Sequence, residues 1–308
     1  MSILLETKSL SKYYKNNTFC ALDNVSLKLE GNQVVGLIGS NGSGKTTFVK
    51  ACTNLISYDG SISYNGNIIN NQKDAHKYYS AVLEGNRNIY WKLTVMENIR
   101  FFAQIRGLSW SSVRYNAQSL VKDLFLEEKK DALVETLSRG MQQKTALICS
   151  LISNTPIIFL DEPTLGLDVE STEQLKYFFS KSDFIENKLI IITSHHLKFL
   201  ESVTNRNFLM KKGRINELDI GKQSSNIFEI FIYCKSDNIE QLRTMPIHVT
   251  EEKIDTYKLI CDISLIPLSV ILKEIEVNNL EIINFNKLSH NLETLYLNSY
   301  ESYKSNSN

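Results

Sequence analysis

The chain has 308 residues, 43% of them hydrophobic, which is enough for about two domains with apolar cores. Its 34 Lys and Arg balance its 34 Asp and Glu, and the zero net charge argues against a nucleic-acid-binding protein, which typically carries a basic excess. The five scattered cysteines form no CxxC pair, so we expect no disulfide framework and a reducing compartment.

The start of the chain, MSILLETKSL, lacks the charged residues and the long apolar stretch of a signal peptide. No run of about 18 apolar residues occurs that could span a bilayer as a helix. We therefore expect a cytoplasmic protein, and we expect any membrane role to be performed from the inner face of the membrane through a partner.

Short apolar runs predict the first elements. Residues 34–38, 157–160 and 189–192 are continuous and rich in β-branched residues, which is typical of parallel strands covered by helices on both faces. Asn65-Gly66, between the apolar positions of residues 62–70, predicts a hairpin and hence an antiparallel edge beside the parallel strands.

Residues 94–153 have a helical pattern. Thr94 and Glu97 form the sequence signature of a capping box ahead of apolar residues at helical spacing. This segment predicts a helical subdomain inserted between strands of the sheet. Together these patterns predict an α/β fold with a mixed sheet over residues 1–219.

The pattern changes after residue 213, and residues 220–308 predict a small α+β domain. Its predicted elements are strands at 226–234, 254–263 and 280–285, a short helical stretch near 239–243, and helices at 265–277 and 292–300. We expect residues 302–308 to be disordered.

One motif carries the phosphate chemistry. Residues 39–46 match GxxxxGK[ST] between a predicted strand and a predicted helix at 46–55. Glycines let the backbone wrap a phosphate so that successive N–H groups and the helix N-terminus point at its charge. Lys45 adds a positive charge, and the Thr46 hydroxyl can ligate Mg²⁺. The predicted nucleotide-binding residues of this loop are Gly39, Ser40, Asn41, Gly42, Ser43, Gly44, Lys45, Thr46 and Thr47.

Two carboxylates follow the buried run at residues 157–160. Asp161 comes at the end of this predicted strand, beside the phosphate loop, where it can hold Mg²⁺. Glu162 is the next residue and can act as the general base that activates a water molecule. These motifs predict a P-loop NTPase that binds ATP with Mg²⁺.

With these motifs placed, residues 1–219 resemble the ATPase subunits of ATP-binding cassette transporters. Residues 137–143, Leu-Ser-Arg-Gly-Met-Gln-Gln, resemble the LSGGQ signature of that family. The resemblance implies nucleotide contacts from Ser138, Gly140 and the D-loop residue Asp168. It implies that His195 is the switch histidine at the γ-phosphate and that Tyr14, or its neighbour Tyr13, stacks on adenine.

Two departures from the family pattern point to a branch of it. Arg139 and Met141 replace glycine and glutamine of the signature, and Glu84 stands where most members have the Q-loop glutamine. The same departures occur in the antibiotic-resistance exporters that the chain resembles, and residues 226–300 are similar to their small accessory domain. Glu84 would lie near Mg²⁺ and the γ-phosphate, so we assign it to the nucleotide and metal set.

The resemblance also implies partners. ATP would lie between two such subunits, with Ser138 and Gly140 of one facing the phosphate loop of the other, in a homodimer or a heterodimer. A separate transmembrane permease would contact residues 84–100, including Tyr90 and Trp91. Two alternatives stay open: a soluble cassette ATPase of translation or DNA repair, and a regulatory subunit that binds ATP without useful turnover.

Overall fold

The computed structural model describes residues 4–14, 18–69, 72–85, 89–181, 186–218, 227–234, 239–253, 255–263, 265–287 and 292. The chain forms two compact units, Met1–Leu218 and Asp219–Asn308. Each has its own apolar core, and each is described by itself below. No helix in the described ranges is long and apolar enough to cross a membrane.

The first unit contains both strands and helices. Its strands are β1 (Leu4–Tyr14), β2 (Phe19–Glu30), β3 (Gln33–Ile38), β4 (Asp59–Tyr64), β5 (Asn67–Ile68), β6 (Tyr79–Val82), β7 (Ile157–Asp161), β8 (Leu189–Ser194), β9 (Arg206–Lys211) and β10 (Arg214–Leu218). Its helices are α1 (Lys45–Cys52), α2 (Gln72–Tyr78), α3 (Val95–Ile105), α4 (Trp110–Asp123), α5 (Arg139–Leu151), α6 (Val169–Lys181) and α7 (Leu197–Val203), with 3₁₀ turns at Glu127–Lys129 and Val134–Thr136.

A six-stranded sheet forms the centre of this unit, in the order β10-β9-β3-β8-β7-β6. Its strands are parallel except for the antiparallel pair of β9 and β10. Every residue of β7 and β8 is buried, as the continuous apolar runs predicted. The predicted fold class, a P-loop NTPase with a mixed sheet, is confirmed.

The predicted hairpin is also present, in a sheet of its own. Strands β4 and β5 pair antiparallel around Asn65 and Gly66, whose φ angles of 47° and 82° suit a type I′ turn. They belong to a four-stranded antiparallel sheet in the order β2-β1-β4-β5. Side chains from this sheet, from α1 and from the parallel sheet share one core that includes Leu22, Phe48 and Phe159.

The helical segment between β6 and β7 begins with the predicted capping box. Thr94 Oγ1 accepts from Glu97 N at 3.2 Å, and Glu97 Oε2 accepts from Thr94 N at 2.8 Å. One turn later, the buried Asn98 donates to the carbonyls of Tyr90 (2.9 Å), Leu93 (3.3 Å) and Thr94 (2.9 Å) and accepts from Tyr90 N at 2.7 Å. Asn98 therefore fixes the described loop before α3 to that helix.

The second unit has the chain order β11 (Ile227–Tyr233), α8 (Glu240–Arg243), β12 (Ile247–Lys253), β13 (Thr256–Asp262), α9 (Leu268–Val277) and β14 (Glu281–Lys287). Its antiparallel sheet has the order β12-β13-β11-β14, the arrangement of a split βαβ fold. Residues such as Ile230, Leu259 and Ile271 form its core.

Strand β12 was not predicted. It has apolar residues only at Ile247 and Val249 and continues as Thr-Glu-Glu-Lys, and it lies at the edge of the sheet. The predicted helix at 265–277 begins only at Leu268 because Pro267 is its N-cap. Of the predicted last helix and tail, only Leu292 is among the described residues. The assignment of residues 220–308 to an accessory domain stays a prediction.

The separate cores lead to a first prediction. A fragment of residues 1–218 is expected to fold cooperatively, because the described residues of this core, from Leu5 to Met210 with Ile215 packed against them, all lie within it. Thermal unfolding followed by near-ultraviolet circular dichroism tests this. A fragment that shows native-like secondary structure but no cooperative transition would contradict it.

Candidate functional site

The phosphate loop connects β3 to α1, which begins at Lys45. Gly44 caps this helix with φ of 116°, in the left-handed region, and a Cβ at this position would collide with the Ala21 carbonyl oxygen. Glycine is therefore required here both by the backbone angle and by the close approach of β2. This turn directs the first N–H groups of α1 into the loop, where an anion can bind.

Lys45 is buried and extends back across the loop. Its Nζ donates to the carbonyl oxygens of Gly39 at 2.7 Å and Ser40 at 3.3 Å. It also lies 3.6 Å from Glu162 Oε1. A single ammonium group thus connects the phosphate loop to the carboxylate that follows β7.

Glu162 lies between Lys45 and His195. Its Oε2 is 2.9 Å from His195 Nδ1 and accepts from His195 N at 3.4 Å. Its backbone has φ of 49°, an unfavourable conformation for a residue with a Cβ that persists only where neighbouring contacts hold it. The side chain is 8% exposed, so this pairing with Lys45 and His195 compensates a carboxylate removed from water.

Asp161, at the end of β7, uses its two oxygens differently. Oδ1 accepts from the hydroxyl of Thr193 at 2.5 Å. Oδ2 is buried and has no hydrogen-bond partner among the described residues, and the same holds for Ser43 Oγ of the phosphate loop. Buried unpaired polar atoms are rare in proteins, and these two lie where the sequence predicts Mg²⁺ and a phosphate.

The described residues contain no group of three or more His, Cys, Asp and Glu that could hold a metal. Mg²⁺ often takes only one or two protein ligands and completes its shell with water and substrate phosphates. Asp161 Oδ2 is the protein oxygen suited to that ion, and the Thr46 hydroxyl is its predicted companion.

A cavity of about 290 Å³ opens beside the phosphate loop. Glu162, His195 and Glu84 line it together with loop residues, so the structure brings these predicted site residues to one place. Its lining is Phe19, Ala21, Asn41, Gly42, Gly44, Lys45, Thr46, Thr47, Glu84, Glu162, Leu165 and His195.

The aromatic residue that lines this cavity, among the described residues, is Phe19, and adenine stacking by Tyr14 stays a prediction. Phe19 lines it and is 48% exposed, whereas Tyr14 is its partner on β1 and, like Tyr13, is not among the lining residues. Sequence analysis missed Phe19 because its position depends on the pairing of β1 with β2. The sequence offered only an aromatic residue just ahead of the apolar pair Ala21-Leu22 as a signal.

A second cavity of about 250 Å³ is lined by both carboxylates, Asp161 and Glu162. Glu84, Glu162 and Leu165 line both cavities. Trp91, Arg139, Gln142 and Gln143 also line the second one, so it lies between the loop before α3 and the start of α5.

The signature residues occupy the N-terminus of α5. Ser138 is the N-cap, and its hydroxyl accepts from Met141 N at 3.3 Å. Gly140 is buried, and a Cβ there would collide with the Ser171 side chain on α6. Neither residue lines the cavity beside the phosphate loop. Arg139, between them, lines the second cavity together with Glu162, whereas Ser138 and Gly140 line neither cavity.

Asp168 also acts locally, at the start of α6. Its Oδ1 accepts from Ser171 N at 2.7 Å, and its carbonyl accepts from the Thr172 hydroxyl at 2.9 Å. The hydrogen bonds from the Ser171 N–H and hydroxyl lower the pKa of Asp168 below its ordinary value. The predicted D-loop aspartate is thus the N-cap of α6 in this chain.

Comparison with known proteins finds relatives among ABC transporter proteins. Residues 22–165 match the family model described as ABC transporter. ATP-binding cassette sub-family A member 2 of Rattus norvegicus is 29% identical over 207 residues, which cover 67% of this chain and 8% of that protein. An uncharacterized ABC transporter ATP-binding protein of Methanocaldococcus jannaschii is 29% identical over 212 residues, which cover 68% of this chain and 75% of that protein.

A solved structure titled as the ATP binding subunit of an ABC transporter superposes with a TM-score of 0.60 at 27% identity, covering 70% of this chain and 90% of that one. The chain spans only 8–9% of the length of the first curated relatives it matches. Proteins named as import ATP-binding proteins are also among the relatives.

The N-cap geometry generates the second prediction. Asp168→Ala is expected to lower the melting temperature by about 2–4 °C because Ser171 N loses its acceptor. Asp168→Asn keeps an acceptor oxygen and should stay near the parent value. The pKa of Asp168 is lower in the folded chain than in the unfolded chain. The ionised Asp168 therefore stabilises the folded chain at any pH above its pKa in the unfolded chain. This stabilisation is lost as the pH falls through its pKa in the folded chain. The difference between parent and Ala variant should therefore shrink only below about pH 4.

Equal melting temperatures for the Ala variant and the parent at pH 7 would show that this cap contributes nothing.

Proposed function

We propose that this chain, whose residues 22–165 match the family model described as ABC transporter, is the ATP-binding subunit of such a transporter, hydrolyses ATP with Mg²⁺ and drives a separate membrane permease. The observation that carries the proposal is the contact of Glu162 with both Lys45 and His195 beside the phosphate loop. A phosphate-binding cation, a buried carboxylate and an imidazole at one edge of a sheet are the groups that nucleotide hydrolysis needs.

Each of the three side chains has a role in the proposed reaction. Lys45 and the N–H groups at the start of α1 would hold the β- and γ-phosphates. Glu162 would accept a proton from the attacking water as general base. His195 Nδ1 contacts Glu162, and we assign its Nε2 to the γ-phosphate, so that His195 aligns the base with the phosphate it serves.

Mg²⁺, when bound, would neutralise charge that develops on the phosphate oxygens. In this chain we assign Asp161 Oδ2 and the Thr46 hydroxyl to the ion. Glu84, which lines both cavities next to Glu162, is proposed to contact its hydration shell. An ionised glutamate only accepts hydrogen bonds, whereas a glutamine also donates, so Glu84 suits bound water better than a bare phosphate.

A second ATP-binding subunit completes the proposed site. Ser138 and Gly140 do not line the cavity beside their own phosphate loop, although the resemblance gives them nucleotide contacts. We infer that they serve the phosphate loop of a second subunit in a head-to-tail dimer. ATP would then close the dimer, and hydrolysis would release it.

The segment around α3 is the proposed contact for the permease. Tyr90 and Trp91 are 51% and 44% exposed. The Tyr90 ring packs edge-on against Phe101 of α3 at a centroid distance of 4.7 Å. Trp91 lines the second cavity together with Glu84. Tyr90 and Trp91 therefore form an exposed aromatic surface next to the cavity that Glu84 lines. Export as the direction of transport rests on the Leu-Ser-Arg-Gly-Met signature and the Glu84 departure.

Lys45→Ala is expected to weaken ATP binding about 100-fold, because the loop loses its charge-assisted contacts to phosphate. Lys50→Ala on the same helix is the control and should bind as the parent does, since Lys50 lies in the last turn of α1, away from the loop. Binding of a fluorescent ATP analogue measures both. Parent affinity in the Lys45 variant would remove the phosphate loop from the proposal.

Glu162→Gln is expected to bind ATP but to hydrolyse it at least about 100-fold more slowly, because an amide cannot take the proton of water. Size-exclusion chromatography with Mg-ATP should then show a stable dimer. Glu128→Gln, an exposed position on a 3₁₀ turn, is the control with unchanged turnover. A Glu162 variant that remains monomeric and hydrolyses ATP at the parent rate would exclude Glu162 as the base.

A further inference from the structure

The residue beside Asp161 on the neighbouring strand has no assigned role. Thr193 of β8 is opposite Asp161 in the parallel pairing of β7 and β8 and is fully buried. Its hydroxyl makes two hydrogen bonds, one to each of the adjacent carboxylate residues. It donates to Asp161 Oδ1 at 2.5 Å and accepts from Glu162 N at 3.0 Å.

We propose that the Thr193 hydroxyl is a positioning group that orients Asp161 toward the metal ion and holds the backbone of Glu162. The inference rests on the proposed function. It adds a residue that the phosphate-loop and acidic-strand motifs do not contain.

The first half of the proposal concerns Asp161. A carboxylate that binds a metal through one oxygen can rotate unless its other oxygen is fixed. The short bond from Thr193 occupies Oδ1 and leaves Oδ2 as the buried oxygen without a partner among the described residues. Hydrogen bonds to metal-binding carboxylates commonly change metal affinity or activity by about 10–100-fold, so this contact selects the oxygen that meets the ion.

The second half concerns Glu162. Its backbone is in the left-handed region, which costs energy for a residue with a side chain. The N–H of Glu162 donates to two oxygen atoms of Thr193, the hydroxyl at 3.0 Å and the carbonyl oxygen at 3.1 Å. These two hydrogen bonds hold the Glu162 backbone in that conformation. A hydroxyl has one donor and two acceptor sites, so one side chain serves both carboxylate residues at once, which valine cannot do.

Thr193→Val tests the proposal because it keeps the shape and removes the hydroxyl, whereas Thr193→Ser keeps the hydroxyl. Thr7→Val is the matched control. Thr7 is also buried, and its hydroxyl likewise donates to one group (Val25 O, 3.2 Å) and accepts from another (Leu27 N, 3.0 Å), but in the antiparallel sheet. Any general effect of losing a buried hydroxyl should appear in both valine variants.

The main measurement is binding of Mn²⁺ to the full chain with a non-hydrolysable ATP analogue, followed by electron paramagnetic resonance of free Mn²⁺. We expect Thr193→Val to weaken Mn²⁺ binding about tenfold or more, Thr193→Ser to stay within about threefold of the parent, and Thr7→Val to match the parent. Binding of the analogue without metal should be equal in all four proteins. In the ATPase assay, Thr193→Val should lower kcat with little change in KM.

Equal Mn²⁺ affinity in parent and Thr193→Val would overturn the proposal, and so would a Ser variant as impaired as the Val variant. Failure of the proposed function has a different result. A parent protein that binds Mn²⁺ with the analogue but never hydrolyses ATP would refute turnover, while the comparison of Mn²⁺ affinities would still decide the role of Thr193.

Discussion

The alignment of three parallel strands is the constraint on which the site depends. In the pairing of β3, β8 and β7, Ile38 is opposite Ser194 and Thr193 is opposite Asp161. The phosphate loop follows Ile38, His195 follows Ser194, and Glu162 follows Asp161. Because parallel strands end at the same edge of a sheet, segments far apart in the chain meet there. A shift of one residue in either pairing would separate Lys45 from Glu162. It would also turn the side chains of the shifted strand to the opposite face of the sheet.

Burial then determines how charge is arranged at that edge. Lys45, Asp161 and Glu162 are each less than 9% exposed, and an isolated charge in such a place is costly. Glu162 is compensated by an ammonium group and an imidazole, and Asp161 by the hydroxyl of Thr193. The site thus carries two carboxylates and one lysine. The Mg²⁺ that we propose at Asp161 would complement this charge.

Local patterns in the sequence were sufficient for much of this architecture. Gly44, the run that ends at Asp161, the Asn65-Gly66 turn and the Thr94 capping box each depend on neighbouring residues, so each was predictable. Phe19 and Thr193 acquire their positions only through the pairing of strands, which composition does not reveal. Strand β12 escaped prediction because five of its seven residues are polar or charged, and an edge strand needs little apolar surface to form.

The packing of Gly140 against Ser171 has a consequence for how such chains diverge. A side chain at position 140 would collide with α6 of the same subunit, so selection for folding alone retains glycine there. If the proposed ATP turnover were lost in a descendant, this glycine would be kept as long as α6 stayed in place. The presence of Gly140 in a related chain is therefore weak evidence for turnover. Glu162, in contrast, has an unfavourable backbone angle, which a small residue such as glycine or asparagine would adopt more readily. Loss of the proposed turnover would therefore be expected to appear first as a substitution at position 162.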